Sequence, residues 1–203
     1  MVLHMTDADG REGGQDSTAK PIEVDARRLR GLAHPMRVRI LDLLEVDGPA
    51  TATGLADRLG VKTGTTSWHL LKLAEHGFVV EDTDRGNRRE RWWRAASAGW
   101  SIRNADFVDE PELADASEIL LSSVLSQQLM RATQFVHEDW SKRWREVWML
   151  TTDQSLRLDP DGLAALRTEL WAVLQRYRDR PSTRDDAERI VVQLQGFPHR
   201  STP

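Results

Sequence analysis

The sequence predicts a mainly α-helical protein with one small β-hairpin, and three observations predict this fold class. Residues 24–76 contain short segments with apolar residues at helical spacing, separated by glycine and proline. Residues 78–80 and 90–94 have the composition of two short strands, and a polar segment joins them. Between Pro111 and Pro160 there is neither glycine nor proline, and the apolar residues keep helical spacing.

The chain of 203 residues has room for one or two domains, at about 100–150 residues each. Residues 1–20 combine glycine and acidic residues with almost nothing to bury, so we expect a disordered tail there. The short helices and the hairpin predict a first domain at residues 21–100. The remaining residues, 101–203, are predicted to form a second domain that is helical or α+β.

Composition excludes several classes of protein. The chain has no cysteine, which excludes disulfides, a catalytic thiol and a thiolate metal site. No apolar run reaches the roughly 20 residues of a membrane-spanning helix, and residues 1–20 lack the order of a secretory signal. We therefore expect a cytoplasmic protein. No nucleophile elbow, phosphate-binding loop or zinc-protease motif is present, so we expect no enzyme, no cofactor and no metal.

The first four helices are predicted in order from their start and stop signals. A helix at residues 24–33 ends before Pro35, which suits the first turn of a second helix at 36–45. A third short helix, capped by Thr51 or Thr53, ends at Gly60.

The fourth helix runs from about residue 63 to 76 and ends at Gly77. Its residues Thr66, Leu70 and Leu73 are spaced by four and three, so they are predicted to face the core. This spacing turns the side chains between them outward.

The hairpin carries the positive charge of the chain. Its turn, Arg85-Gly86-Asn87, has the residues that tight turns require. Although the net charge is −4, residues 85–94 contain five arginines and the single acid Glu90. Such a local basic patch favours binding to a polyanion more than the global sum does. Trp92 and Trp93 lie on opposite strand faces, so at least one is predicted to be core.

The second domain is predicted to begin with a long helix from Pro111, broken near residues 148–153. Residues 155–158 and 190–194 have β-like patterns and are predicted to pair. Asp159-Pro160 combines a capping residue with proline at the first helical position, so a helix is predicted from there to about Arg178.

A tryptophan stripe stands out in this domain. Trp140, Trp144 and Trp148 are spaced by four, and Phe135 and Trp171 are candidates to join them. One interpretation is a core or dimer interface. The other is an aromatic pocket for a flat apolar or cationic effector. The neighbouring residues 137–139 (His-Glu-Asp) are consecutive, so on a helix they point in different directions and predict no metal site.

Four segments resemble, in order and spacing, the motifs of ArsR-like transcriptional regulators. They are RLRGLAHPMR at 28–37, LADRLGV at 55–61, TTSWHLLKL at 65–73 and EHGFV at 75–79. In that family they form the opening helix, the first motif helix with its turn, the recognition helix and the entry to a β-hairpin called the wing. The resemblance covers about residues 24–96 and implies a winged helix-turn-helix domain that binds DNA.

The sequence departs from the family pattern in several places. Lys62 stands where a capping serine is common, so the recognition helix is predicted to begin at Thr63. Gly64 lowers helix propensity in the first turn, and Thr66 replaces a usual aliphatic core residue. The cysteine-containing metal motif is absent, and the second domain resembles that of larger members without metal ligands.

The resemblance, together with the helical spacing, predicts two DNA-contacting surfaces. The recognition-helix set is Lys62, Thr63, Thr65, Ser67, Trp68, His69 and Lys72, and the wing set is Arg85, Asn87, Arg88, Arg89 and Arg91. For Trp68 the alternatives are a thymine methyl or sugar contact and packing on a neighbouring helix. For His69 the alternative to DNA contact is a structural role, and for the arginines it is a solvated hairpin.

These observations predict a sequence-specific DNA-binding transcriptional regulator, acting as a repressor and a homodimer. The first helix and the long C-terminal helix are the candidate dimer elements. The predicted partners are double-stranded DNA, a second copy of the chain and a small apolar or aromatic effector, with no membrane. The alternative is a winged helix that serves as an interaction module for an acidic protein.

Overall fold

The computed structural model describes residues 21–85, 90–97, 99–102, 107, 109–148 and 156–199. These residues fall into two compact units, which divide between His137 and Glu138. The helices are α1 (Ala26–Leu32), α2 (Pro35–Val46), α3 (Ala52–Leu59), α4 (Thr63–Glu75), α5 (Pro111–His137), α6 (Lys142–Val147) and α7 (Pro160–Arg178). The strands are β1 (Ile22–Glu23), β2 (Ala50–Thr51), β3 (Val79–Glu81), β4 (Trp92–Ala95) and β5 (Trp100–Ser101). The prediction of a mainly helical protein with a small β-hairpin is confirmed.

Local signals start and end the first helices. The Asp25 side chain accepts a hydrogen bond from the backbone N–H of Arg28 and so caps α1. His34 caps α2 in the same way, since its Nδ1 accepts from the N–H of Met36 at 3.1 Å. Pro35 occupies the first turn of α2, as predicted.

The turn between α3 and α4 is set by a glycine. Gly60 has φ 66° and ψ 35°, a left-handed conformation that glycine adopts without strain, and its N–H bonds back to carbonyls of α3. Thr51 caps the start of α3 through the N–H of Gly54 at 3.1 Å. Helix α4 begins at Thr63, as predicted, and Lys62 at its N-cap makes no side-chain capping bond.

The hairpin belongs to a three-stranded antiparallel sheet with the order β2-β4-β3. Strand β4 lies between its partners, so that Val80 pairs with Arg94 and Ala50 pairs with Trp93. Trp93 is buried and Trp92 is half-buried, which confirms the prediction of one core tryptophan. The strand β2 was not predicted, because two residues are too few to display a period.

A second small sheet joins residues 22–23 to residues 100–101. Strands β1 and β5 run parallel, and Ile22 pairs with Trp100. Trp100 is 1% exposed and contributes a large side chain to the core. As with β2, the two-residue strands give no sequence signal.

Helix α5 packs against α1 and α2, and its buried residues include Leu113, Leu120 and Val124. The first unit therefore continues to His137, whereas the sequence analysis divided the chain after residue 100. The sequence could not reveal this packing, because the partners of α5 lie more than 80 residues earlier in the chain, as in the pairs Arg30–Glu112 and Asp42–Arg131.

The second unit contains α6 and α7. Asp159 caps α7 through the N–H of Gly162 at 2.7 Å, and Pro160 follows, which confirms the predicted start. The single long helix predicted from Pro111 is wrong beyond His137, because residues 138–141 are not helical and Ser141 caps a separate α6. The predicted strand pair is also absent: residues 156–158 and 190–194 have no strand, and residue 155 lies outside the described ranges.

Candidate nucleic-acid interface

Helix α4 has one buried face and one exposed face. Thr66, His69, Leu70 and Leu73 are buried, which confirms the predicted core positions Thr66, Leu70 and Leu73. At about 100° per residue, the line directly opposite them passes through Gly64, Trp68, Leu71 and Glu75. This line is the centre of the surface that α4 presents to solvent.

The predicted contacts of the recognition helix occupy different places on this surface. Lys62, Thr63 and Thr65 are exposed, while Ser67 and Lys72 are half-buried at its edges. The Nζ of Lys72 donates to the Glu75 carboxylate at 2.8 Å. Trp68 and Leu71 at the centre are each 53% exposed.

The placement of His69 among the DNA contacts is a correction to the sequence analysis. Its side chain is 5% exposed, and its ring lies 4.6 Å from the ring of His34, measured between centroids. His69 follows Thr66 by three positions and precedes Leu73 by four, so it shares their buried face. The structural alternative is therefore the correct one for this residue.

A buried hydroxyl joins α4 to α3. The Thr66 hydroxyl lies 2.7 Å from the carbonyl oxygen of Ala52 and 2.9 Å from that of Thr63, and it donates to these acceptors. This geometry allows threonine to replace an aliphatic residue here, since the buried hydroxyl has acceptors for its proton. The contact fixes the recognition helix relative to the helix before it.

The wing arginines are exposed where the structure describes them. Arg85 lies 3.5 Å from the carboxylate of Asp82, and Arg91 lies 3.1 Å from that of Glu81, measured from the Nε atoms. The guanidinium of Arg91 also lies 5.7 Å from the centre of the Trp93 ring. The remaining predicted contacts, Asn87, Arg88 and Arg89, lie outside the described residues.

A cleft of about 240 Å³ separates α4 from the wing. Its lining residues are Thr51, Ala52, Thr53, Ser67, Leu71, Glu90, Arg91 and Trp93. The cleft brings the recognition helix, the start of α3 and an arginine of the wing to one surface. Leu71 was not among the predicted contacts, although the rotation of 100° per residue from the buried positions places it outward.

Histidine burial makes the packing of α4 sensitive to pH. Burial lowers the pKa of His69, and the positive charges of His34 and Arg37 lower it further. Burial likewise lowers the pKa of His34, with Arg37 as the second cause. Besides the ring of His34, the ring of Trp68 also contacts the ring of His69.

We expect the free energy of unfolding to fall as the pH decreases below about 6.5, the ordinary pKa of histidine. A depressed pKa in the folded state means that the unfolded chain takes up the proton first, so the stabilisation is present above 6.5 and is lost toward lower pH. The substitution His69→Phe should make urea unfolding less dependent on pH between 7 and 5. The matched control His137→Phe, at an exposed histidine, should leave that dependence unchanged; equal slopes in all three proteins would contradict the assignment.

The tryptophan stripe is not continuous on one helical face, which corrects the sequence analysis. Trp140 lies between α5 and α6, Trp144 lies within α6, and Trp148 is its extended C-cap. Trp140 and Trp144 still contact each other edge to face, with ring centroids 6.4 Å apart. Phe135 lies on α5 and Trp171 on α7, each half-buried within its own unit.

The described residues contain no group of three or more potential ligands that could hold a metal ion. Within the same ranges, no helix is long and apolar enough to cross a membrane.

The fold and the exposed helix define the first unit as a winged helix-turn-helix domain, a class of DNA-binding domain. Residues 32–82 match the family model described as "Helix-turn-helix domain". This match covers α2, β2, α3, α4 and β3, which include the elements that form and support the exposed face of α4.

Several solved structures are similar to part of the chain. HlyU from Vibrio cholerae is 20% identical, with 51% of this chain and 84% of that one covered and a TM-score of 0.32. The homodimeric winged helix-turn-helix DNA-binding domain Mb0332 from Mycobacterium bovis is 24% identical, with coverage of 51% and 78% and a TM-score of 0.33. ZitR from Lactococcus lactis is 14% identical, with coverage of 71% and 83% and a TM-score of 0.32. No curated protein matches the sequence.

Proposed function

We propose that the chain is a sequence-specific transcriptional regulator that binds double-stranded DNA and acts without a catalytic step. The observation that carries this proposal is the exposed face of α4 beside a hairpin with arginines. A helix fits the major groove, where each base pair presents a distinct pattern of donors and acceptors. Arginines at the edge of such a helix reach phosphates and fix its register on the duplex.

We propose further that the regulator acts as a homodimer. One recognition helix reads only a few base pairs, and a two-fold pair multiplies the specificity. Helix α5 supports this proposal, because beyond Val124 it exposes a series of large apolar side chains. They are Leu125, Leu129, Met130 and Val136, each at least 46% exposed. Exposed large apolar side chains in such number are characteristic of protein interfaces. Helix α1, which packs on α5, is the second candidate element.

The second unit also supports dimerisation. None of its described residues is buried, and α7 exposes Leu170, Val173 and Tyr177 along its 19 residues. A unit of this size without a core of its own cannot offset the entropy of ordering its chain. We propose that it completes its core in the dimer.

For regulation we propose repression by occupation of a promoter, relieved by a small apolar or aromatic effector. Aromatic side chains of the second unit support an effector site. These are Trp140, Trp144 and Trp148, in or beside α6, and Trp171 on α7. An effector that binds one dimer geometry more tightly than the other would shift the population between DNA-binding and DNA-free forms.

The experiment that tests this proposal is a titration followed by fluorescence anisotropy. The full-length protein is titrated into the duplex upstream of its own gene and into a scrambled duplex, over a series of salt concentrations. Tight, salt-dependent binding that favours the upstream duplex supports the proposal. Selection from a random duplex library then covers operators elsewhere. Failure to bind or enrich any duplex would contradict the proposal and favour the alternative of an acidic protein partner.

We expect the double variant Arg85→Ala/Arg91→Ala to bind all duplexes more weakly and by a similar factor. Each arginine that neutralises a phosphate contributes about 0.9 to the slope of log affinity against log salt, so the slope should fall by about 2. The control Arg184→Ala removes an exposed arginine of the second unit and should leave the slope unchanged. An unchanged slope in the double variant would show that the wing does not contact phosphates.

A further inference from the structure

The centre of the exposed face of α4 is apolar, which is unusual for a surface that meets DNA. We propose that Trp68 and Leu71 contact the C5-methyl groups of thymines in the major groove, so that the operator carries thymine at fixed positions. This inference rests on the proposed function, because it names what the recognition helix reads.

The positions of the two side chains on α4 support this proposal. Trp68 and Leu71 lie on the line opposite the buried residues of α4, and each is 53% exposed. In a helix that enters the groove with its exposed face, this line approaches the base edges more closely than the flanks do. Thr65 and Ser67 lie on either side of the line, nearer to the sugar–phosphate walls.

The ordering of the Trp68 side chain in the free protein also supports the proposal. The Trp68 ring packs edge to face on the ring of His69, with centroids 4.8 Å apart and an interplanar angle of 77°. His69 is itself buried and packs on His34, which caps α2. Trp68 thus has a buried neighbour in the free protein, which restricts its side chain and reduces the conformational freedom lost when it meets a ligand. His69 acts here as a positioning residue.

The open space beside Trp68 on α4 also supports the proposal. A Cβ atom built on Gly64 would meet nothing within 4 Å, so the first turn of α4 is bare beside Trp68. Residues four apart are neighbours on a helix, and a long side chain covers the turn that precedes its own Cα. The glycine therefore leaves room at the indole for a base edge to approach.

The apolar chemistry of the two side chains supports a methyl group as the group that they contact. Phosphates, sugars and most base edges offer charges or hydrogen-bonding groups, which lose water without compensation against an indole or an isobutyl side chain. The methyl group of thymine is the apolar group that the major groove of ordinary DNA presents. Leu71 lines the cleft next to Arg91, so a methyl contact and a phosphate contact are available side by side.

The test begins with selection of duplexes from a random library by the full-length protein. If no sequence is enriched, the proposed function itself fails. Once a site is enriched, each thymine is replaced in turn by deoxyuridine, which removes only the methyl group. We expect at least one position in each half-site to bind about fourfold more weakly, the factor for burying one methyl group.

The variants assign this effect to its side chains. In Trp68→Ala or Leu71→Ala, deoxyuridine should no longer weaken binding at the position that the missing side chain contacted. The control Arg91→Ala should bind more weakly overall and keep the full deoxyuridine effect. Circular dichroism melts verify that each variant folds. The inference is overturned if deoxyuridine is tolerated at every position of an enriched site, or if its effect persists unchanged in both apolar variants.

Discussion

Replacing Arg131 by methionine should lower the free energy of unfolding by about 3 kcal/mol. The guanidinium of Arg131 on α5 forms an ion pair with the carboxylate of Asp42 on α2, and the Asp42 side chain is only 8% exposed. Removal of the cation leaves a buried carboxylate without this partner, which costs more than the loss of an exposed pair. Urea unfolding at a fixed protein concentration measures the difference.

Two further variants make the Arg131 result specific. Arg143→Met removes an exposed pair with Asp186, whose side chains are 71% and 51% exposed, and should change stability by less than about 1 kcal/mol. The double variant Asp42→Asn/Arg131→Met should recover part of the loss, because the buried charge is then gone. If Arg131→Met were no more destabilising than Arg143→Met, the pair would not stabilise the packing of α5.

The substitution Gly31→Ala should destabilise the protein by about 2 kcal/mol, the usual cost of forcing an extra group into a packed core. A Cβ atom at Gly31 would lie 2.2 Å from Cγ of His76, so the histidine ring and the end of α4 would have to move. The site is a close helix contact, where Arg27 of α1 also donates to the carbonyl oxygen of Glu75 at 2.7 Å. Thermal or urea unfolding measures the loss.

The control for this prediction is a helical glycine with open space around it, Gly64. A Cβ atom there meets nothing within 4 Å, so Gly64→Ala should be neutral or stabilise by up to about 1 kcal/mol through helix propensity. The double variant Gly31→Ala/His76→Ala should recover stability, since the clashing ring is removed. Equal effects of the two glycine substitutions would refute the packing argument.

The Arg131–Asp42 pair also links α5 to α2, two helices with different proposed functions. Helix α5 is the proposed dimer element, and α2 packs on both α5 and the recognition helix α4. In the proposed homodimer, a change in the position of α5 would therefore reach α4 through α2. Arg131→Met provides a test of this route, since it should alter DNA affinity as well as stability.

The sequence alone predicted the elements whose signals are local. The left-handed turn at Gly60, the cap and proline at Asp159-Pro160, and the buried positions of α4 all depend on neighbours within about four residues. Hydrogen bonds of caps and turns, and the period of the helix, are properties of such short segments. The same period would have placed His69 in the core and Leu71 at the surface, had it been applied to each residue of α4.

The tertiary structure decided what depends on distant partners. Strands β1, β2 and β5 have two residues each and exist only because a strand elsewhere in the chain supplies their hydrogen bonds. The packing of α5 on α1 and α2, and the burial of Asp42 beside Arg131, likewise join residues up to 89 positions apart. A helical pattern continues in the sequence through residues 138–141, yet the helix ends before them, and Ser141 caps a new helix. Periodicity in the sequence predicts which face of a segment is apolar. The residues that this face contacts depend on the positions of the other elements in the fold.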